Sequence, residues 1–380
     1  MNKGYRARKN GAAEQTRHRR RNSMKKWMKT VGVVLALHLL TSIAHSQVKI
    51  KGYMYGEYYV VLHHNSGSVD EGGIEGRHGF WFRRIYFTAD SRLAANLEAR
   101  LRFEMNSPGK LPFDSSDRLT AVVKDAYLSY ATGGQELRFG IISTPTWGHN
   151  IEDIWGYRSV EKTPLDLMKL GSSRDFGIGL KGHLDEGKTV NYYIMFGNGA
   201  SNKGETDQGK KIYGSLAFKP KEHLVLEIYT DYEHAAHEKR YRVIQGFAAY
   251  QGEWGRAGAM YARRQFKQSI EDGKDKENDY NIFSAFAVFN AAKNVEIIAR
   301  FDRMFGDGFE SNFRGESVSY IPFASNPGAP FHLLIAGVSW NAAKNVWLIP
   351  NIKYVFYSEP DEGEKPSGDV YANFTVWFKF

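Results

Sequence analysis

The 380-residue sequence contains no cysteine, and its mean hydropathy of −0.48 is negative. The absence of cysteine excludes disulfides, thiol catalysis and cysteine-ligated zinc. The sequence also lacks a stretch of roughly 20 apolar residues, the length that a helix needs to cross a bilayer. A bundle of transmembrane helices is therefore excluded, and a chain of this composition can cross a membrane only with strands.

The formal net charge of +9 resembles that of a nucleic-acid-binding protein, but the basic residues are concentrated at the start of the chain. Residues 1–46 contain 11 of the 51 Lys and Arg residues and 1 of the 42 acidic residues. The remainder has 51 − 11 = 40 basic and 42 − 1 = 41 acidic residues, a net charge of −1. We therefore expect no nucleic-acid partner.

The segment from Met24 to Ser46 has the pattern of a secretory signal peptide. Lysines precede an apolar run from Val31 to Leu40, and Ala44-His45-Ser46 provides a small-x-small cleavage site. An uncleaved anchor helix is the alternative, but the run is too short to span a bilayer. We predict an N-terminal extension plus cleaved signal peptide over residues 1–46 and a single domain over residues 47–380. Residues 1–23 are either an extended signal region or the result of a start codon assigned too early.

After Gln47 the sequence alternates between apolar and polar residues with a period of two, which places successive side chains on opposite faces of a strand. Between Ala95 and Asn106, small and apolar residues alternate with charged and amide residues of both signs, as expected for a strand between lipid and a hydrated lumen. The final segment, Val370 to Phe380, alternates in the same way. Its terminal Phe resembles the signal by which the outer-membrane barrel assembly machinery recognises its substrates.

The number of such segments predicts the architecture. Roughly sixteen strands is an even number in the porin size range, so we predict an all-β fold, a transmembrane antiparallel β-barrel. The predicted strands start near Val48, Phe80, Ala95, Val122, Glu136, Arg174, Thr189, Lys211, Glu222, Val243, Arg256, Tyr280, Asn294, Pro330, Asn345 and Val370.

The connections between these strands alternate between short and long. Outer-membrane barrels have short periplasmic turns and longer outer loops, so the alternation distinguishes the two ends of a barrel. A soluble periplasmic β-sandwich remains an alternative, although neither this alternation nor the terminal Phe is expected of one. The predicted turns are 90–93, 132–135, 184–188, 219–221, 252–255, 290–294 and 341–345; the predicted loops are 62–79, 107–121, 143–173, 199–210, 233–242, 266–279, 306–329 and 358–369.

The third long loop, residues 143–173, is the candidate constriction. In a sixteen-strand porin the third loop folds into the lumen, so this loop is predicted to narrow the channel; a solvated outer loop is the alternative. Its candidate constriction residues are Glu152, Asp153, Tyr157, Arg158, Glu161, Lys162 and Asp166.

The wall opposite this loop is predicted to carry a ladder of arginines. Rings of basic side chains favour anions in a narrow aperture, although neighbouring acidic residues on the same face would weaken the field. Arg83 and Arg84 are adjacent in a strand, so strict alternation allows only one of them to face the lumen. The candidate pore-lining residues are Arg84, Glu98, Arg100, Arg102, Glu104 and Arg138.

Four stretches resemble the phosphate-selective porin O and P family: FRRIYF at 82–87, DAYLSY at 125–130, WGYRSVEK at 155–162 and RDFGIGLKG at 174–182. The resemblance covers mainly the first half of the chain. It implies a homotrimer of sixteen-strand channels with arginines along the lumen and lysines at the constriction. Arg84, Arg100 and Arg102 match the arginine ladder, whereas Lys162 and Lys169 are the lysines available in the loop.

The function predicted from these features is passive diffusion of small hydrophilic solutes, with anions or phosphate preferred. Expected partners are outer-membrane lipid and lipopolysaccharide, the barrel assembly machinery and the solutes themselves; no cofactor and no enzymatic activity are expected. An outer-membrane enzyme or adhesin with a plugged lumen is the alternative. His63-His64 with Asp70-Glu71 could form a catalytic or metal site, but adjacent histidines point apart on a strand. The sequence has no GxSxG, HExxH or CxxC motif.

Overall fold

The computed structural model describes residues 48–65, 73–106, 120–145, 150–221, 223–236, 239–269, 275–307, 327–360 and 363–380. The predicted signal peptide and its extension lie outside the described residues, as do Asp70 and Glu71. Within the described part, sixteen antiparallel strands form a closed barrel in which each strand pairs with its neighbours in sequence and β1 pairs with β16. The strands are β1 Val48–His63, β2 His78–Ala94, β3 Leu97–Asn106, β4 Thr120–Thr132, β5 Gln135–Ser143, β6 Arg174–His183, β7 Val190–Gly197, β8 Lys210–Lys221, β9 Leu224–Ala235, β10 Lys239–Gly252, β11 Gly255–Ser269, β12 Asp275–Ala292, β13 Val295–Gly306, β14 Phe331–Ala343, β15 Val346–Tyr357 and β16 Asp369–Lys379.

The predicted sixteen-strand barrel is confirmed, and the strands begin within a few residues of the predicted positions. Two predicted turns, residues 90–93 and 219–221, are wrong because these residues continue β2 and β8; after β2 the chain turns at Ala95-Asn96 instead. Polar residues occur both in turns and at lumen-facing positions of strands, so a polar cluster near a strand end does not show whether the strand continues or turns. Here Asp90 faces inward and binds Arg100 of β3.

The outer surface of the barrel is apolar. Large hydrophobic side chains such as Phe139, Ile194 and Ile228 are exposed on it, while the residues that alternate with them are buried in the interior. Near the short-turn end, Tyr250 and Trp254 stack with their ring centroids 6.2 Å apart, as in an interfacial aromatic girdle. No helix in the described part of the chain is both long and apolar enough to cross a membrane. A closed barrel with an apolar exterior is the architecture of an outer-membrane protein.

The described part of the long connection between β5 and β6, residues 144–145 and 150–173 and here called the inner loop, lies inside the barrel. It contains two short helices, α1 Ile151–Trp155 and α2 Pro164–Leu167. Gly156 ends α1 in the left-handed conformation with φ of 71°. Pro164 begins α2, where its fixed φ suits the first helical position.

The inner loop covers an apolar part of the lumen. Trp155, Val160 and Leu165 of the loop are buried in one hydrophobic cluster with inward residues of β1, β5 and β7 to β16. Trp155, for instance, meets Phe286 of β12 edge to face, with ring centroids 5.3 Å apart. Inward apolar residues on β12 explain why both faces of that strand read as hydrophobic in the sequence.

Candidate functional site

Glu161 anchors the inner loop to the barrel wall. Its carboxylate accepts hydrogen bonds from Arg83 of β2 at 3.0 Å and from Lys353 of β15 at 2.8 Å, and its side chain is fully buried. The charge of Arg300 on β13 is paired with Asp302, and the same guanidinium also donates to the Lys162 carbonyl. The centre of the loop is thereby tied to three separate strands.

The first half of the loop is anchored in the same way. Arg256 of β11 donates to the Ile154 carbonyl at 2.7 Å and pairs with Glu296 of β13 at 2.9 Å. The Tyr157 hydroxyl donates to the same Glu296 carboxylate. These contacts, with the packing of Trp155 on Phe286, hold one side of the loop against β11 to β13 and leave its other side free of these anchors.

That free side carries charges of both signs. Arg158 lies 3.4 Å from Glu152 and 3.4 Å from Asp166, and Lys162 lies 3.6 Å from the same Asp166. Burial lowers the pKa of Lys162 to about 8 against the opposing effect of Asp166. Burial also raises the pKa of Glu152, which Arg158 only partly offsets.

The charged side of the loop interacts with cations of β2 and β4. Burial by itself would raise the pKa of Asp166, but the charges of Lys162, Arg158 and Lys124 lower it. Lys124 belongs to β4, so a wall cation acts directly on the loop carboxylate. The charged side of the loop and this wall therefore lie close together, and the space between them is the candidate aperture.

The arginines of this wall are held by carboxylates on neighbouring strands. Arg100 donates to Asp90 at 2.6 and 3.1 Å, and Arg102 lies 3.3 Å from Asp125. Arg100 and Arg102 are also within 6 Å of the rings of Tyr127 and Tyr86, respectively, so their guanidiniums are positioned by both charge and aromatic contact.

Two β-bulges bring additional cations into the lumen. In the pairing of β1 with β2, Tyr55 is opposite Arg84 and Gly56 is opposite Phe82, which leaves Arg83 as an extra residue. Both arginines face inward: Arg83 binds Glu161, and Arg84 lies 3.3 Å from Glu104. The prediction that only one of them could face the lumen is wrong, because a bulge suspends the alternation locally.

The second bulge lies on β4. Arg102 is opposite Asp125 and Phe103 is opposite Val123, so Lys124 is the extra residue. Lys124 lies 3.0 Å from Glu104, the same carboxylate that binds Arg84. Glu104 on β3 therefore lies between two cations at the bulges, Arg84 of β2 and Lys124 of β4.

Sequence reasoning missed three wall cations: Lys124, Arg174 and Lys181. Arg174 starts β6 and binds Asp125. Lys181 lies 3.0 Å from Glu136, which also binds Arg138 at 2.5 Å. Asp175 is buried, and Lys181 follows it by six residues in the same strand, so the period of two would have placed Lys181 on the inward face. The bulge at Lys124 follows no regular sequence pattern.

The predicted site residues separate into four groups. Arg84, Arg100, Arg102, Glu104 and Arg138 lie together on the wall; Glu152, Arg158, Lys162 and Asp166 face them from the loop. Tyr157 and Glu161 are buried in the anchors, Glu98 is exposed near the short-turn end of β3, and Asp153 is exposed on α1. Lys169, the second loop lysine, is also exposed.

Apart from the Arg83–Glu161 anchor, nine basic and six acidic side chains of β2 to β6 and the inner loop are linked by ion pairs, and these are here called the aperture cluster. Its surplus of three positive charges falls to two if Glu98 is included. The basic members are Arg84, Arg100, Arg102, Lys124, Arg138, Arg158, Lys162, Arg174 and Lys181; the acidic members are Asp90, Glu104, Asp125, Glu136, Glu152 and Asp166.

Open space adjoins the aperture cluster on the short-turn side. A cavity of about 270 Å³ lies between Asn150 of the loop and β5 to β8, with Glu136, Lys181 and Ser215 among its lining residues. Its lining mixes polar side chains such as Lys181 and Ser215 with less polar ones such as Tyr193 and Ala217.

The two adjacent histidines do not form a joint site. His63 lies 3.0 Å from Glu75, whereas the buried His64 lies 2.9 Å from Asp369 at the β1–β16 seam. Among the described residues there is no group of three or more acidic or histidine side chains that could hold a metal ion.

Comparison with known proteins finds similarity at the level of fold. No family model and no curated protein matches the sequence. An anion-selective porin from Comamonas acidovorans is 13% identical, with a TM-score of 0.59 over 88% of this chain and 100% of the porin. The outer membrane channel DcaP of Acinetobacter baumannii is 9% identical, with a TM-score of 0.61 over 89% and 98% of the two chains. OmpT of Vibrio cholerae, solved in a trimer form, is 10% identical, with a TM-score of 0.56 over 88% and 99%. At these identities the similarity establishes a porin-like outer-membrane channel fold.

Proposed function

We propose that this chain is a passive, water-filled porin whose aperture lies between the inner loop and β2 to β6. The observation that carries the proposal is the anchoring of the loop. Glu161, Arg256 and Arg300 participate in bonds that fix one side of the loop to the wall, while its charged side, which carries part of the aperture cluster, is left facing β2 to β6. Because the barrel wall holds the loop in place, the loop narrows the lumen whether or not it is rigid by itself.

We further propose a weak preference for anions. A surplus of positive charge around a narrow aperture attracts anions and repels cations. The preference is weak because each carboxylate of the aperture cluster is paired with at least one of the cations, which reduces the field. An anion-selective porin among the similar structures is compatible with this assignment. Phosphate is the candidate solute because of the resemblance to the phosphate-selective porin O and P family.

The remaining expectations extend the same proposal. We infer a homotrimer, for which the trimer form of a similar barrel is the support. We also infer export by a signal peptide cleaved after Ser46 and insertion by the barrel assembly machinery. N-terminal sequencing of the purified protein tests the cleavage, because a mature chain should begin at Gln47.

Planar-bilayer recording of the detergent-purified protein tests the channel. Stepwise ohmic openings with a reversal potential of anion-selective sign in a KCl gradient are expected, with inorganic phosphate reducing the chloride current. Openings with cation selectivity would contradict the anion preference alone. A protein that inserts without conducting would contradict the porin assignment and favour a barrel enzyme or adhesin with a plugged lumen.

A further inference from the structure

The outer surface of the barrel has an apolar groove that the proposed channel does not use. The groove has a volume of about 740 Å³ and spans β7 to β12. Its floor is formed by the small residues Gly246, Ala248 and Ala259, while Leu216 and Phe283 are among the larger residues that border it. Small residues between large ones give this part of the surface a depression of defined shape.

The groove leads toward arginines at the long-loop end of the barrel. The strand register places Gly246 opposite Tyr261, Tyr261 opposite Phe283, and Phe283 opposite Arg303. Arg263 follows Tyr261 by two residues on the same outward face, and its side chain is 52% exposed. Cationic side chains therefore lie next to the groove where the apolar band ends.

These arginines belong to a basic patch formed by Arg240, Arg242, Arg263, Lys267 and Arg303. Asp279 binds Arg263 at 3.1 Å, and Glu277 lies 2.6 Å from Lys267. With the exposed Asp307, which adjoins Asp279, the patch has five basic and three acidic residues and retains a surplus of two positive charges. Exposed arginines at the edge of an apolar band are the partners expected for anionic lipid head groups.

We propose that the groove and the basic patch together bind one lipid A moiety of lipopolysaccharide. Its acyl chain would lie in the groove, and its phosphate would be bound by Arg263 and Arg303. The long-loop end of an outer-membrane barrel faces the outside, so the patch is level with the outer leaflet, where this phosphorylated lipid resides. The proposal depends on membrane placement and not on conductance, so it can fail independently of the porin assignment.

Native mass spectrometry of the folded, full-length protein with added lipid A tests the site. In Arg263→Gln/Arg303→Gln, the fraction of protein carrying lipid A should fall at least fivefold. Gly246→Leu should reduce binding similarly by filling the groove, since a Cβ at Gly246 meets no other atom within 4 Å. The charge-matched control, Arg77→Gln/Lys365→Gln, removes two exposed cations elsewhere and should bind as the unmodified protein does.

Each variant is first checked for folding by its heat-dependent mobility on gels. Unchanged lipid A binding in the folded Arg263→Gln/Arg303→Gln variant would overturn the proposal. It would also be overturned if Gly246→Leu dissociated the oligomer and left lipid binding intact, because the groove would then be a contact between subunits. If uncharged or zwitterionic lipid at equal concentration displaced lipid A, the phosphate would have no role in binding, and the proposal would be overturned.

Discussion

Arg158 and Glu152 allow the proposed aperture to be tested with opposite charge changes at almost the same place. The two side chains lie 3.4 Å apart on the free side of the inner loop, and both are partly exposed. Arg158→Gln removes a positive charge, and Glu152→Gln removes a negative one. We expect the first to decrease and the second to increase the anion-to-cation permeability ratio.

The size of the change follows from the charge and its distance. An ion passing about 8 Å from a unit charge in water interacts with it by roughly 0.5 kcal/mol. At 0.1 M salt, screening over a Debye length of about 10 Å reduces this by about half. Because the anion and the cation are affected in opposite directions, each substitution should change their relative barriers by about 0.5 kcal/mol, which is roughly a twofold change in the permeability ratio.

Reversal potentials in a KCl gradient measure this ratio for single channels of each variant. Asp153→Asn is the matched control, because Asp153 belongs to the same short helix but has no ion pair with the aperture cluster. It should shift the ratio less than Glu152→Gln does. Shifts of the same sign for Arg158→Gln and Glu152→Gln, in channels of normal conductance, would refute the assignment of this face to the aperture.

Three further predictions concern the wall, the loop lysine and the loop anchor. Arg100→Gln with Arg102→Gln should lower the anion preference about fourfold, since two charges are removed at roughly twofold each; unchanged reversal potentials in folded barrels would contradict this role. Lys162, with its pKa of about 8, is charged below that pH and loses its charge above it, so anion preference should fall between pH 7 and 9 in the unmodified protein; a Lys162→Gln channel that shows the same fall would rule out this lysine as the cause. Glu161→Gln removes the buried carboxylate that Lys353 and Arg83 share, at a cost of about 3 to 5 kcal/mol in the free energy of unfolding. Urea unfolding and single-channel noise should both report the loosened loop, and wild-type values in both would show that Glu161 is not an anchor.

The number and order of the strands could be predicted because each strand separates two different solvents. The alternation in Leu97–Asn106 and in Asp369–Lys379 reflects lipid on one side and a polar lumen on the other, so hydrophobic periodicity identifies the strand directly. Loop anchors such as Glu161 with Lys353 could not be predicted, because they join residues 192 positions apart. The charged residues of the loop were visible in the sequence. Which of them anchor the loop and which face the aperture depends on tertiary contacts.

The bulges explain why the net charge of the chain does not predict the charge at the proposed aperture. Residues 47–380 have a net charge of −1, yet the aperture cluster has a surplus of three positive charges. Strict alternation would direct one of Arg83 and Arg84, and one of Lys124 and Asp125, toward lipid, where an unpaired charge is costly. The two bulges instead turn all four inward, so that Arg84 and Lys124 share the single carboxylate of Glu104. Two cations on one carboxylate leave a positive charge in the lumen, so the proposed anion preference depends on backbone irregularities that hydrophobic periodicity does not detect.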